Sequence, residues 1–231
     1  MATSAGEFEA RAVVDASGRW SNLSVQSGTP REKWLGLKGH FTEREPQQSV
    51  DLYFFNGGYC GVQPVDVAGG EAAGRVNAAA MVRADVASSL PQVFGLHPQL
   101  LERSQSWQAV SEPVSTSPLI FREPEPARGN ILLAGDAAGF VDPFVGDGIS
   151  LALRSGALAA ESLIPYLKGV STLPAAVRQY AQAYAQRLAP VFRASSAIRR
   201  LLMLPKPIRI SMLFALENSP AMTRYLVKKT R

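Results

Sequence analysis

One carboxylate, Asp136, stands where a short apolar segment ends and a glycine-rich loop begins. Residues 131 to 134 are four consecutive apolar residues, which predict a short buried strand. Gly135 and Asp136 follow directly. A carboxylate just past the end of a buried strand is well placed to accept hydrogen bonds from sugar-like hydroxyls, so the segment predicts an anchor for a hydroxyl-bearing ligand.

The loop that follows predicts a cradle for a flat ligand. It carries Pro143, Gly146 and Gly148, and an Ala- and Leu-rich helix is expected from about Asp147. A helix start offers unpaired backbone N–H groups and a positive dipole end to an anionic or electron-rich ligand. Glycine matters here because a side chain would hold such a ligand away from the backbone.

These residues resemble the second flavin-binding fingerprint of the FAD-dependent oxidoreductases, a superfamily that holds aromatic hydroxylases, geranylgeranyl reductases and flavin-dependent halogenases. The match consists of Gly-Asp-Ala-Ala from Gly135 and of Asp-Pro-Phe-Val-Gly-Asp-Gly-Ile from Asp142. The resemblance implies that the Asp holds ribityl or ribose hydroxyls of FAD and that the loop passes beside the isoalloxazine ring. It assigns cofactor binding to Gly135, Asp136, Pro143, Gly146, Gly148 and Ile149.

A second segment, residues 10 to 21, predicts a strand running into a Ser-Gly turn. It resembles the family's Ala-Asp-Gly-x-x-Ser segment near the cofactor pyrophosphate, which implies cofactor-binding roles for Ser17 and Gly18. Ser17 stands where the hydroxylases carry Asp, and the spelling is closer to the halogenase and reductase branches. The resemblance therefore leaves NAD(P)H open as the electron donor.

A third segment, residues 57 to 64, resembles the Gly-Tyr-x-x-x-x-Pro segment of the geranylgeranyl reductase-like branch, which lies in the substrate-domain sheet. In physical terms it predicts a hairpin whose first strand covers residues 51 to 55. The aromatic residues here either pack in a sheet core or line a pocket for a small apolar substrate. The candidate pocket residues are Tyr53, Phe55, Tyr59, Val62 and Pro64.

The family's Gly-x-Gly-x-x-Gly motif, which receives the ADP half of FAD, does not occur in this sequence. We therefore expect the C-terminal portion of a flavoprotein: a truncated gene product, one half of a split gene, or a fragment. By itself such a chain should retain FAD poorly. The alternative to an enzyme is a non-enzymatic remnant, or a subunit that needs a separate N-terminal half.

The expected fold class is α/β (α+β): an incomplete FAD-binding Rossmann-like domain, an inserted antiparallel-sheet substrate domain and C-terminal helices. Residues 1–30 and 126–170 are expected in the FAD-binding domain, 31–125 in the substrate sheet and 171–231 in the helical region. The predicted strands of the sheet cover residues 36–43, 50–55, 59–63 and 75–83. The predicted helices cover residues 84–94, unless Pro91 breaks this helix, 148–167, and 173–204, the last bent near Pro190. The second of these should pack Ile149, Leu153, Gly156, Ala160 and Leu163.

The composition is that of a globular protein, with 46% hydrophobic residues in 231 and a mean hydropathy of +0.01. One cysteine, Cys60, excludes an internal disulfide, and two histidines give no metal-ligand cluster. No signal-peptide pattern and no apolar run of about 18 residues is visible, so a cytoplasmic location is expected.

Basic charge is concentrated near the C-terminus. The segment from Arg187 to Arg231 contains ten Lys and Arg residues and one acid, Glu217. Bulky apolar residues lie between these charges. This pattern fits either a helix on an anionic membrane surface or packed helices with solvated cations. Nucleic-acid binding is not expected, because no recognised motif accompanies the charge.

Two reaction types remain open for a flavin enzyme with this sequence. Reduced FAD either delivers hydride to an alkene or reacts with oxygen to hydroxylate or halogenate a substrate. The halogenase alternative is disfavoured because the Trp-x-Trp-x-Ile-Pro signature is missing, and the segment that begins at Trp34 does not supply it.

Overall fold

The computed structural model describes residues 2–3, 6–19, 33–65, 74–119, 121, 123–202, 204, 206–221 and 224. The chain divides into two compact units. Unit 1 contains residues 1–27 and 121–231, and unit 2 contains residues 28–120. Unit 2 is therefore an insertion between two parts of unit 1.

The elements alternate between short strands and helices. The strands are β1 (Ala2–Thr3), β2 (Gly6–Glu7), β3 (Val13–Asp15), β4 (Trp34–Thr42), β5 (Asp51–Phe55), β6 (Gly58–Pro64), β7 (Arg75–Arg83), β8 (Gln108–Ala109), β9 (Val114–Leu119), β10 (Ala127–Arg128) and β11 (Ile131–Leu133). The helices are α1 (Leu90–Phe94), α2 (Pro98–Ser104), α3 (Gly148–Leu167), α4 (Leu173–Arg187), α5 (Ala189–Leu202) and α6 (Lys206–Glu217). Two single 3₁₀ turns, Gly135–Ala137 and Pro143–Val145, precede α3.

Unit 2 is built on one antiparallel sheet. Its order is β5-β6-β7-β4, and both β8 and β9 pair with β4. The four long strands confirm the predicted meander to within two residues at each end. Gly57, at φ +89°, makes the turn of the β5–β6 hairpin, which is a backbone conformation that favours glycine.

One face of this sheet packs against α1 and α2. Their residues Leu90, Val93 and Leu100 are fully or almost fully buried against strand residues such as Val62 and Val82. The predicted helix over residues 84–94 is wrong in its first half, because α1 begins only at Leu90. Proline lacks a backbone N–H and fixes φ, so the proline after Leu90 suits the first turn of a helix and not its interior.

A partly buried ion-pair network joins the sheet of unit 2 to α2. Arg103 donates two hydrogen bonds to the Glu43 carboxylate, at 2.6 and 2.8 Å. Its third nitrogen donates to Asp51 at 2.6 Å and to the Tyr53 hydroxyl at 2.9 Å. Because these hydrogen bonds favour the charged form, with Glu43 contributing most, the pKa of Arg103 is raised.

Unit 1 contains a small mixed sheet in the order β10-β11-β3. β11 is parallel to β3, with Ile131 opposite Val13 and Leu133 opposite Asp15. β10 is antiparallel to β11, and β1 and β2 form a separate antiparallel ribbon. The parallel pair brings the ends of two strands that are far apart in the chain to the same edge of the sheet.

Helix α3 has the predicted bounds, residues 148 to 167, whereas the predicted long helix over residues 173–204 is two helices. α4 ends at Arg187 and α5 begins at Ala189. Pro190 falls in the first turn of α5, where its missing N–H costs nothing. The predicted bend is therefore a break.

The buried face of α3 agrees with the prediction at Leu163 but not at Ile149, Leu153 or Ala160. Its buried residues are Leu151, Ser155, Leu158, Ala159, Ser162 and Leu163. Ile149 and Leu153, predicted to be packed, are 80% and 71% exposed. Small and apolar residues occur on two faces of α3, so helical spacing alone does not select the one that packs against β11 and α4.

We predict that Arg103→Met lowers the free energy of unfolding by about 2 kcal/mol, because Glu43 and Asp51 would keep partly buried charges without their partner. The matched control is Arg83→Met, which breaks an ion pair with Asp85 whose side chains are 34% and 69% exposed. That change should cost less than about 1 kcal/mol. Urea unfolding of both variants measures the difference, and equal losses would contradict the prediction.

Candidate functional site

The end of β11 is shaped by Gly135. Its φ of +60° lies in the left-handed region, and its N–H donates to the Ser155 Oγ of α3 at 2.8 Å. A Cβ at this position would lie 3.3 Å from the Cβ of Ala152. Glycine therefore permits both the turn and the close approach of α3, and Asp136 follows in the first 3₁₀ turn.

A second 3₁₀ turn leads into α3. The Asp142 carboxylate accepts a hydrogen bond from the Phe144 N–H at 3.0 Å, which fixes the start of this turn at Pro143. Gly146 ends it at φ +72°. Asp147, the N-cap residue of α3, makes no side-chain capping hydrogen bond. The first N–H groups of α3 therefore receive no cap from Asp147.

The end of β3 lies beside the end of β11. The Ala134 N–H donates to the carbonyl of Asp15 at 2.9 Å. The Asp15 carboxylate, 3% exposed, accepts hydrogen bonds from the Ser17 N–H at 3.0 Å and the Ser17 hydroxyl at 2.6 Å. These bonds make an Asp-Ser turn that carries Gly18 at φ +85°. The Ser17 side chain therefore stabilises the turn by its hydrogen bond to Asp15.

These loops surround one cavity of about 590 Å³ in unit 1. That volume lies in the range typical of small-molecule sites. Of the eight residues predicted to bind a cofactor, seven line it, and Ser17 does not. The seven are Gly18, Gly135, Asp136, Pro143, Gly146, Gly148 and Ile149. The structure thus brings together residues that the sequence places in two distant segments.

Asp136 carries the one charge among the residues that line this cavity in the described part of the chain. Burial raises the pKa of its carboxyl above the ordinary value, and the positive charge of Arg19 partly opposes that shift. The Arg19 guanidinium carbon lies 5.0 Å from the ring centroid of Phe140, which is itself a lining residue. The cavity therefore has apolar walls, one carboxylate and one cation nearby.

Sequence reasoning missed Arg19 and Phe140. They are far apart in the chain, and no local sequence pattern predicts a cation–π contact between residues at that separation. Two buried tyrosines of α4 were also missed: the Tyr180 hydroxyl donates to the Leu133 carbonyl at 2.6 Å, and Tyr184 stacks edge-on beside it. The Tyr180 hydrogen bond connects the end of β11 to α4.

The candidate substrate residues of unit 2 lie on two faces of its sheet. In the β5–β6 ladder Tyr53 lies opposite Cys60, whereas Tyr59 lies opposite Phe54. Strand residues alternate between faces, so Tyr59 points away from the face that carries Tyr53, Phe55, Val62 and Pro64. Their contact with a substrate stays a prediction.

Three of these residues are buried. Phe55 is 6% exposed and Val62 is fully buried in the core that the sheet forms with α1 and α2, and Tyr59 is 8% exposed. Tyr53 lines a second cavity, of about 640 Å³, in which Glu43 and Arg103 also take part. Aromatic residues in strands are often packing residues. Of the two alternatives that the sequence left open, a core residue or a pocket residue, Phe55 is a core residue.

We predict that Asp136→Asn stabilises the cofactor-free protein at neutral pH, by up to about 1 kcal/mol given solvent screening at this half-buried position. Because the folded pKa is raised, the protonated carboxyl favours the folded state, and that contribution is lost as the pH rises through the raised pKa. The gain should therefore shrink as the pH falls. Denaturant unfolding at several pH values measures it.

The control for this prediction is Glu161→Gln on the exposed side of α3. It should change the free energy of unfolding by less than about 0.5 kcal/mol. A stability loss in Asp136→Asn at neutral pH would show that the carboxylate is stabilised by the fold.

No protein-family model matches the chain, and no curated protein matches it. Solved structures do match. The flavin-dependent brominase Bmp2 aligns with a TM-score of 0.67 and 18% identity, over 95% of this chain and 57% of its own. PqsL, a probable FAD-dependent monooxygenase from Pseudomonas aeruginosa, aligns with a TM-score of 0.63 and 20% identity, over 89% of this chain and 59% of its own.

The myxobacterial chondrochloren halogenase CndH, a FAD-dependent halogenase, aligns with a TM-score of 0.58 and 18% identity, over 80% of this chain and 48% of its own. This chain thus spans about half to three fifths of the length of these structures. At such identities the likeness concerns the fold, and it confirms the predicted α/β fold class. The fold of this chain is similar to that of the corresponding part of these FAD-dependent halogenase and monooxygenase structures.

Proposed function

We propose that unit 1 binds FAD in the cavity lined by Asp136 and Gly146, and that the protein is an FAD-dependent oxidoreductase. The observation that carries this proposal is the convergence of seven predicted residues, from two segments that are distant in the chain, on one cavity. The fold shared with flavin-dependent enzymes supports it.

The residues of the cavity fit a flavin. A Cβ at Gly18 or at Gly146 would meet no atom within 4 Å, so the absence of side chains there leaves open space beside the backbone. Val14, Val141 and Ile149 supply apolar walls for a ring system. Asp136 supplies an acceptor for hydroxyls, and the start of α3 supplies N–H donors.

Each group would have a separate task in that site. Asp136 would accept hydrogen bonds from ribityl or ribose hydroxyls, while the first turn of α3 would donate to the electron-rich edge of the ring. The apolar walls would exclude water. Bound FAD supplies hydride transfer or, once reduced, reaction with oxygen; the chain supplies binding, orientation and electrostatics.

The cavity is open on one side, which supports a requirement for further polypeptide. In the described residues β3 pairs with β11 alone, and Val14 in β3 is 41% exposed. Ile149 and Leu153 expose most of their apolar surface on α3. We propose that tight FAD binding needs another segment, either in cis or as a separate subunit. Strand β11, by contrast, is covered, since Leu132 and Leu133 are buried.

Two reaction types remain candidates. The first is a reductase or monooxygenase acting on an apolar organic substrate, supported by the apolar walls of the cavity and by the resemblance of residues 57 to 64. The second is a halogenase, which the alignment of Bmp2 over 95% of this chain favours. A non-enzymatic remnant would lack both activities.

We predict that residues 1–231 alone do not purify with bound flavin, because the open cavity leaves much of a dinucleotide in solvent. Added FAD should bind weakly. The visible absorption spectrum of the purified chain measures flavin content, and stoichiometric flavin bands would contradict the requirement for a further segment.

We predict that Asp136→Ala lowers the affinity for FAD by about 10- to 100-fold, since a hydrogen bond to a charged acceptor contributes roughly 1.5–3 kcal/mol. The affinity is measured by fluorescence titration of a preparation complemented with a dinucleotide-binding segment. Glu161→Gln is the control and should bind FAD as the parent does. Unchanged affinity in Asp136→Ala would remove Asp136 from the site.

The reaction type is tested with the complemented protein after anaerobic reduction. Prenyl lipids and small polar aromatics are offered separately, with and without oxygen, and with and without bromide. Anaerobic flavin reoxidation by a prenyl lipid supports a reductase, whereas a brominated product would establish the halogenase instead. Hydroxylation of the polar aromatics alone would contradict the apolar substrate.

A further inference from the structure

The last helix of the described chain exposes large apolar side chains. In α6, Ile208 is 52% exposed, Ile210 is 54% exposed and Phe214 is 66% exposed. Leu216 is partly buried, and the remaining described side chains of this helix are exposed. Ile210 and Phe214 are four residues apart and share one face of α6, whereas Ile208 lies on another side of the helix. Large apolar residues exposed on one helix face indicate a surface for interaction.

The same region carries a strong positive charge. Ten Lys and Arg residues and one acid lie between residues 187 and 231. Arg193 and Arg200 are exposed on α5, while Val191 and Phe192 of that helix are buried in the core of unit 1. α5 is therefore anchored by its apolar face and presents cations to solvent.

We propose that α5 and α6 form a docking surface for an anionic lipid bilayer. The exposed Ile and Phe side chains of α6 would enter the boundary between headgroups and acyl chains, and the cations would pair with anionic headgroups. The contact is peripheral: no described helix combines the length and apolar character needed to cross a bilayer.

The charge balance favours lipid over the other occupants of an apolar surface. A second copy of this chain would bring the same exposed cations of α5, Arg193 and Arg200, to the interface, where like charges repel. A nucleic acid would match the charge but would leave the exposed aliphatic side chains without apolar partners. An anionic bilayer satisfies both the charge and the apolar surface. The proposal is independent of whether the cavity of unit 1 binds FAD.

Vesicle co-sedimentation of residues 1–231 tests this proposal. Vesicles of phosphatidylcholine alone are compared with vesicles that contain about 30% phosphatidylserine. We expect binding to the anionic vesicles only, weakened by high salt because a cation near the surface contributes about 1 kcal/mol. Equal binding to both vesicles, or no binding to either, would overturn the proposal, as would binding to RNA without binding to vesicles.

Two double variants separate the two parts of the surface. Arg193→Gln with Arg200→Gln and Ile210→Ser with Phe214→Ser should each weaken vesicle binding by about tenfold or more. Matched controls are Lys38→Gln, an exposed cation of unit 2, and Val170→Ser, an apolar residue that is 78% exposed outside this surface. Circular dichroism confirms that each variant is folded, and undiminished binding in both folded double variants would refute the docking surface.

Discussion

The parallel pairing of β3 with β11 is the constraint on which the cavity of unit 1 depends. It places Asp15 opposite Leu133, and the Ala134 N–H then bonds to the Asp15 carbonyl at 2.9 Å. Parallel strands end at the same edge, so the turn after β3 and the glycine-rich loop after β11 must meet there. Unit 2 is inserted between these strands in the chain, which is why the two loops are distant in sequence and adjacent in space.

Around this edge the residues leave open space and contribute little to the stability of the fold. Gly135, Gly146 and Gly18 adopt left-handed φ values, and Asp136 keeps a carboxyl whose burial raises its pKa. Glycine adopts these φ values without strain, and a carboxyl whose pKa is shifted by burial in a cavity is typical of functional sites. The exposed Ile149 at the start of α3 has the same character, because an apolar side chain in solvent contributes little to the fold.

Much of this could be predicted from the sequence because the signals are local. Glycine and proline spacing located the loop, helical spacing gave the bounds of α3, and alternation gave the strands of unit 2. What failed depends on tertiary packing. Helical spacing did not choose between the two faces of α3, strand propensity did not separate the core residue Phe55 from a pocket residue, and nothing local joined Arg19 to Phe140.

The central claim, that a flavin lies in the cavity of unit 1, is tested most directly by titrating ¹⁵N-labelled protein with FAD and following the backbone amide signals. Fast-exchange shifts detect weak binding, so the measurement does not require a complemented protein. We predict the largest changes at the amides of Gly18, Asp136, Gly146 and Ile149, with little change in the core strands of unit 2. Changes confined to unit 2, or no change at FAD concentrations in the millimolar range, would contradict the assignment of this cavity to a flavin.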